Sequence, residues 1–319
     1  NLGRDDFRIS YNSIYKNAGL IETPIEKFYY TKCGHAIKQV DKETLLKCGR
    51  KCNCSVNVIE AQKVQSSYFC YISLRSWLDF MVPKLYHQMR FSSNLKNENI
   101  KNGRIYRDIL NGQEYDRITE GQDMLTLTLG WDGVCYCQSN SKSMWPLVAY
   151  INELKYKVRV RNALALALHC GGGKAPQSML EPLINELLEF EKNPYEVKIN
   201  GVNMSFKVRL LVVVADAPAR ARILNMKDFS GKYGCNNCQI QTFWCQTSRY
   251  PMTTNYTFRD AQKWREEAAK ATPKNTWFGV KGECQLLRLA YVNPATIAPP
   301  EYLHSQILGT FRAKLECWL

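Results

Sequence analysis

Apolar and polar residues alternate over LTLTLGWDG: Leu125, Leu127 and Leu129 fall on one face and Thr126, Thr128 and Gly130 on the other. A period of two predicts a strand with one apolar side. Asp132 closes this strand on the threonine face, away from the leucine stripe. A second run, FKVRLLVVVAD, is almost continuously apolar from Val208 to Val214 and predicts a central strand covered on both sides, ending at Asp216. Between them, residues 162–170 (NALALALHC) read as a third strand. Met179, Leu180, Leu183, Ile184, Leu187 and Leu188 then repeat at helical spacing behind a capping box, with Ser178 as N-cap and Glu181 three residues on. Pro182 falls in the first turn, where its missing N–H does little harm. After Asp216, APARARILNMK turns helical with Pro218 near its start. The order strand, hairpin, strand, helix, strand, helix belongs to an α/β core, and such cores place ligands and metals where strands run out.

Upstream, Leu74, Trp77, Leu78, Met81, Leu85 and Met89 repeat at helical spacing and predict one amphipathic helix over about 66–91, kinked at Pro83. Residues 93–122 are polar and Asn-rich, with NGRIYRDILNGQEYDRI read as strand–turn–strand or a short helical linker. In KYKVRVR, Lys155, Lys157, Arg159 and Arg161 alternate with Tyr156, Val158 and Val160, which predicts a strand with one basic face. That face suits a polyanion, or an edge strand protected by charge. Arg220 and Arg222 stand just beyond Asp216, where cations can hold phosphates.

Charge sharpens this picture: 43 basic against 29 acidic residues leave the 319-residue chain at +14, which favours polyanionic partners. No run of about 18 apolar residues exists, and there is no signal-peptide pattern. Starting at Asn1 without Met and stopping in an apolar run at Leu319, the chain reads as a fragment. Thirteen cysteines, an odd number spread over a long chain, favour reduced thiols and metal ligands in a reducing interior. Cys33, Cys48, Cys52 and Cys54, with His35 as a further donor, are enough soft ligands for a tetrahedral zinc, although Tyr30 stands where a regular ribbon has a cysteine. GCNNC places Cys235 and Cys238 at ligand spacing as half of a second site, to be completed by Cys245, Cys284, His304 or residues past Leu319.

For the two aspartates the residues leave alternatives open. Asp-Gly is a common turn dipeptide, so LTLTLGWDGVCYCQ also reads as a hairpin turning at Asp132. An Asp before a helix is a common N-cap, which would account for Asp216. If their strands are neighbours, the carboxylates face one another as half of a divalent-metal site.

The run from Leu125 to Trp318 resembles the catalytic region of cut-and-paste DNA transposases of the CACTA (En/Spm) type and their animal relatives. LTLGWDGV, SMWPLVAYINEL, KAPQSMLEPLINELLEF, FKVRLLVVVADAPARA, FSGKYGCNNC, GVKGECQLLRL and PPEYLHSQILG carry it by their order and spacing. The cysteine segment and NGRIYRDILNGQEYDRI resemble the N-terminal parts of the same proteins. The resemblance implies an RNase H-like mixed sheet with flanking helices over 123–319, preceded by a zinc-ribbon-like module over 1–65 and a helical linker over 66–122. It implies Asp132 and Asp216 as the first and second catalytic acids, and Cys235 and Cys238 as a Cys-x-x-Cys insertion. Glu301 and His304 fall on an Asp-x-x-His landmark, where Glu for Asp lengthens the arm by about one methylene; Glu283 and an acid past Leu319 compete as the third acid.

The implied activity is metal-dependent DNA cleavage and strand transfer, with two Mg²⁺ or Mn²⁺ ions held by Asp132 and Asp216 and a structural Zn²⁺. The implied partners are duplex DNA of element ends and target, and further copies of the chain in the DNA complex; the implied compartment is the nucleus. Its rival is a transposase-derived DNA-binding or chromatin protein without turnover, and an RNase H-type nuclease acting on RNA ranks below both.

Overall fold

The computed structural model describes residues 24–49, 52, 54–91, 109–135, 142–172, 174–272 and 274–318. The sequence expectations for residues 1–23, 92–108 and 136–141 lie outside this set. Its principal sheet contains β1 (Glu26–Tyr30), β2 (Ala36–Lys38), β5 (Tyr68–Tyr71), β6 (Leu125–Trp131), β7 (Val134–Cys135), β8 (Lys142–Ile151), β9 (Leu164–Gly172) and β12 (Val208–Val214). The spatial order is β12-β6-β8-β9-β5-β1-β2, with β7 pairing the start of β8. Only β12 and β6 run parallel; the other pairs in this sheet are antiparallel. Among the described residues three two-stranded ribbons complete the strands: β3 (Leu45–Lys47) with β4 (Ser55–Asn57), β10 (Tyr195–Ile199) with β11 (Val202–Phe206), and β13 (Phe243–Cys245) with β14 (Thr247–Arg249). The helices are α1 (Val58–Lys63), α2 (Leu74–Leu85), α3 (Gln113–Thr119), α4 (Tyr156–Arg159), α5 (Glu181–Lys192), α6 (Ala217–Ile223), α7 (Ala261–Lys270), α8 (Pro294–Ile297) and α9 (Arg312–Trp318). The chain is therefore a mixed α/β protein built on a mixed sheet.

The leucine stripe of β6 is fully buried, as its alternation predicts. Its other face is not solvated at the start of the strand: Thr126 is buried as well, and its amide and hydroxyl both donate to Glu153 at the end of β8. Helix α5 buries Leu183, Ile184, Leu187 and Phe190. Each such side chain removed from water contributes about 1.5–3 kcal/mol.

Three local expectations are corrected. Residues 66–91 are not one helix: Tyr68–Tyr71 are strand β5, and helical spacing begins only at Leu74. The aromatic stretch YFCY completes a ladder between β1 and β9, so sheet pairing overrides the neighbouring helical period. Glu186 of α5 then accepts from Tyr71 Oη, Ser73 Oγ, Leu74 N and Arg75 N, fastening the start of α2 from more than a hundred residues away. The capping box is absent, because Ser178 lies buried inside a 3-10 turn and Glu181 reaches instead to His35 and Ala36 N. KYKVRVR is not a strand but the single turn α4, in which Arg159 is buried and donates to the carbonyls of Asn152 and Leu154.

Candidate active site

The parallel register of β12 on β6 pairs Val214 with Gly130. Two residues further along each chain stand Asp216 and Asp132, at matching positions past the ends of adjacent strands. Both are half-buried. Asp132 is not a hairpin turn: β7 continues the register of β6 on β8, so Asp132 and Gly133 stand opposite Pro146 and Trp145 within the paired region. Gly133 is required there, since a Cβ would meet the Trp145 ring at 2.5 Å. Its N–H donates to Asp132 Oδ1 at 2.7 Å.

Asp216 is the N-cap of α6, with Oδ1 accepting from Ala219 N at 2.7 Å and Pro218 in the first turn. The capping alternative is thus realised, and it coexists with the place of Asp216 beside Asp132. Glu301 and His304 arrive from the far end of the chain. Glu301 accepts from Leu303 N, His304 N and His304 Nδ1, each at 2.7 Å, at the start of a π-helical segment (Leu303–Phe311). These donors, the His304 amide first, hold its carboxyl below the usual range.

Asp132, Asp216, Glu301 and His304 line one hollow of about 240 Å³ floored by Trp131 and Val148. A neighbouring hollow carries Asp216, Glu301 and His304 on to Arg220 and Phe229. Burial pushes the Asp132 carboxyl up, and the charges of Asp216 and Glu301 push it further, against the Gly133 N–H and His304. Three carboxylates with mutual repulsion are a donor set that a hard divalent cation would relieve. They stand around the hollow rather than converging: among the described residues the one group of three or more potential ligand atoms within 4.8 Å of one another is a cysteine cluster.

That cluster consists of Cys33, Cys48, Cys52 and Cys54. Cys33 sits in the β1–β2 turn, which needs Gly34 at φ +85°, and Cys48 and Cys54 flank the β3–β4 ribbon, joined by Cys48 N donating to Cys54 O at 2.8 Å. Cys33 Sγ lies 3.8 Å from Cys48 and 3.3 Å from Cys52, and Cys52 lies 3.0 Å from Cys54. Zn–S bonds of about 2.3 Å place tetrahedral sulfurs about 3.8 Å apart, so this soft set could hold a metal such as zinc. The Thr31 hydroxyl, with Cys54 and Cys52, brings the Cys33 thiol down to about 6, whereas Cys52 and Cys33 push Cys54 up to about 12. His35 is not a member, since its Nδ1 lies 3.2 Å from Glu181 Oε1.

The second cysteine pair gathers no further ligand among the described residues. Cys235 and Cys238 are 3.5 Å apart, but Cys284 is buried against Ile223 O, Cys245 is exposed on β13, and His304 is engaged by Glu301. The basic residues divide. Arg220 lines the hollow beside Asp216 and reaches Pro299 O, whereas Arg222 lies 5.8 Å above the Trp145 ring, which packs on the Gly133 face of the strand rather than the Asp132 face. Lys155, Lys157, Arg159 and Arg161 follow the end of β8, which pairs with the start of β6, and so lie at the opposite end of the sheet. Lys157 and Arg161 remain exposed there.

Sequence reading missed Phe229 as a wall of the site, and offered His304 both beside Glu301 and as a ligand to complete the second zinc site; the structure sets it with the acids. The x-x spacing of Glu301 and His304 was the available signal for that pairing. No family model matches the chain, and no curated protein matches it. No described helix is long and apolar enough to cross a membrane.

Proposed function

We propose that the chain is a DNA transposase with an RNase H-like core, cleaving duplex DNA and transferring its 3′ ends in a metal-dependent reaction. The observation carrying this reading is the β12–β6 register, which sets Asp132 and Asp216 side by side over a hollow that Glu301 and His304 also line. Three antiparallel strands followed by a fourth parallel to the first support an RNase H-like core. In this reading Asp132 and Asp216 hold Mg²⁺ or Mn²⁺ with hard carboxylate oxygens, and Glu301 supplies the third acid. Bound metal supplies activation of the attacking oxygen and stabilisation of the leaving one. Asp132, whose proton is held more tightly than usual, must be ionised before it can act as a ligand. Arg220 steadies a flanking phosphate, and Trp131 with Val148 lines the hollow beside the acids. The four-cysteine cluster takes structural zinc, the partner is duplex DNA bound by an oligomer, and the compartment is the nucleus.

A second reading, a transposase-derived DNA-binding protein without turnover, draws on Glu301, whose two oxygens already serve the helix start. Nicking of supercoiled DNA in Mg²⁺ or Mn²⁺ separates the two. The parent chain is expected to nick, and Asp132→Asn to bind DNA without nicking. A parent that binds but never nicks in either metal supports the second reading; one that does neither removes both.

A further inference from the structure

The β13–β14 ribbon buries none of its residues, yet it carries two large aromatics: Trp244, at mid-ribbon, is 78% exposed and Phe243, at its base, 53%. A two-stranded ribbon with no buried face is marginal in water, and exposed Trp and Phe add nothing to its folding. Phe243 is directly paired with Arg249, so one face presents an aromatic ring beside a cation. Trp244 is paired with Ser248 on the other face, and the Ser248 hydroxyl donates to Ser230 O. Tyr250 Oη donates to Phe229 O at 2.6 Å. Phe229 lines the hollow that contains Asp216, Arg220 and Glu301. The ribbon is therefore moored to the wall of the acid site, with Trp244 level with the mooring. From Phe229 to Arg259 the chain contains no Asp or Glu, so nothing in this segment repels a phosphate backbone.

Building on the proposed DNA-cleaving function, we propose that this ribbon is a base-stacking element. Trp244 stacks on a nucleobase displaced from the duplex beside the acids, while Phe243 and Arg249, paired on the opposite face, lie against the base and phosphate on the other side of the ribbon. Aromatic rings on a ribbon serve this role because every base offers a π-face, and each stack is worth enough to dominate local affinity. A ribbon also fits a DNA groove as an intact unit. An apolar protein partner is the less apt occupant, because the rings lie on opposite faces of a narrow ribbon and the accompanying charge is only positive.

The full chain is titrated, without Mg²⁺ or Mn²⁺, against a perfect duplex and against the same duplex with one bulged 2-aminopurine. The parent is expected to prefer the bulged duplex about tenfold and to quench the 2-aminopurine emission, within the range of one aromatic stack. Trp244→Ala should abolish both preference and quenching while leaving perfect-duplex binding and its salt slope unchanged; Trp244→Phe should retain most of the preference. Arg249→Ser should lower the salt slope by about one, as for one released counterion. If Trp244→Ala binds and quenches like the parent, the stacking proposal fails while the nicking function still stands. If Trp244→Ala changes self-association and not DNA binding, the ribbon is a protein contact and the proposal fails. If the parent binds neither duplex, the DNA-directed function falls, and the proposal with it.

Discussion

Replacing Asp216 by Asn and by Ala separates two roles of one carboxylate. As N-cap, Asp216 satisfies Ala219 N at 2.7 Å. Asn caps about as well as Asp, whereas Ala loses the cap at about 1 kcal/mol, equivalent to about 2 °C in a chain of this size. As a metal ligand, Asp216 contributes a full negative charge to the hollow it shares with Asp132 and Glu301. Either substitution removes that charge. If bound metal supplies about 4 kcal/mol of transition-state stabilisation through this oxygen, the nicking rate falls about 10³-fold. In the metal-free protein the same change removes one of the charges that push the Asp132 carboxyl up, so Asp216→Asn should not destabilise it. The assays are a thermal melt without divalent metal, DNA affinity, and the rate of plasmid nicking in Mg²⁺. Asp216→Asn is expected to melt within about 1 °C of the parent, to bind DNA equally and to nick about 10³ times more slowly. Asp216→Ala should show the same loss of rate plus the lower melting temperature. Nicking by Asp216→Asn at the parental rate, with only Ala destabilised, would reduce Asp216 to a helix cap and refute its role in the site.

Purified protein should carry about one zinc per chain, and chelation should raise hydrogen exchange over residues 25–60, with Cys48→Ser reproducing the effect; protein with reduced cysteines and no zinc by elemental analysis excludes the metal. Burial raises Glu153 from 4.5 to about 7, so the folded chain retains a proton that the unfolded chain loses. Stability should therefore fall as pH rises from 4.5 to about 7, by up to about 3 kcal/mol, and urea midpoints of Glu153→Gln should lose that slope whatever their absolute position. Arg159→Ser should destabilise by about 2–3 kcal/mol, because two buried carbonyls lose a charged donor. Replacing the exposed Lys157 and Arg161 by Ser should instead leave urea midpoints unchanged and flatten the salt dependence of DNA binding, if that end of the sheet meets the duplex.

What the sequence disclosed was the chemistry carried by local patterns. Leu125 to Trp131 and Val208 to Val214 announce themselves as strands, and the acids at their ends become neighbours in the parallel pair. The cysteine cluster follows from residue type, since four sulfurs within a short segment have few other uses. KYKVRVR misleads because a seven-residue alternation also fits one helical turn, and the carbonyls that bury Arg159 belong to Asn152 and Leu154 at the preceding strand end. Ser178 and Glu181 misleads for a different reason: His35 and Ala36, nearly 150 residues earlier, compete for the carboxylate and win. Glu186 and Glu153 were invisible, because one cap and one buried network depend on donors that only the sheet order brings within reach.

The sheet that joins β1 to β6 is also a ruler. From β6 through β8, β9 and β5 to β1 there are four hydrogen-bonded steps. At about 4.8 Å each they set the two strands roughly 20 Å apart, and a twist of about 20–25° per step turns one nearly at right angles to the other. The turn carrying Cys33 is thus indexed to Asp132 in distance and direction by backbone pairing rather than by a hinge. Anything gripped at the cysteines is presented to the acids at a fixed offset and heading. A shift of one residue in the β5–β9 pairing would turn the faces of the whole cysteine end over, so inserting a residue in β5 should uncouple the two ends while leaving each chemically intact.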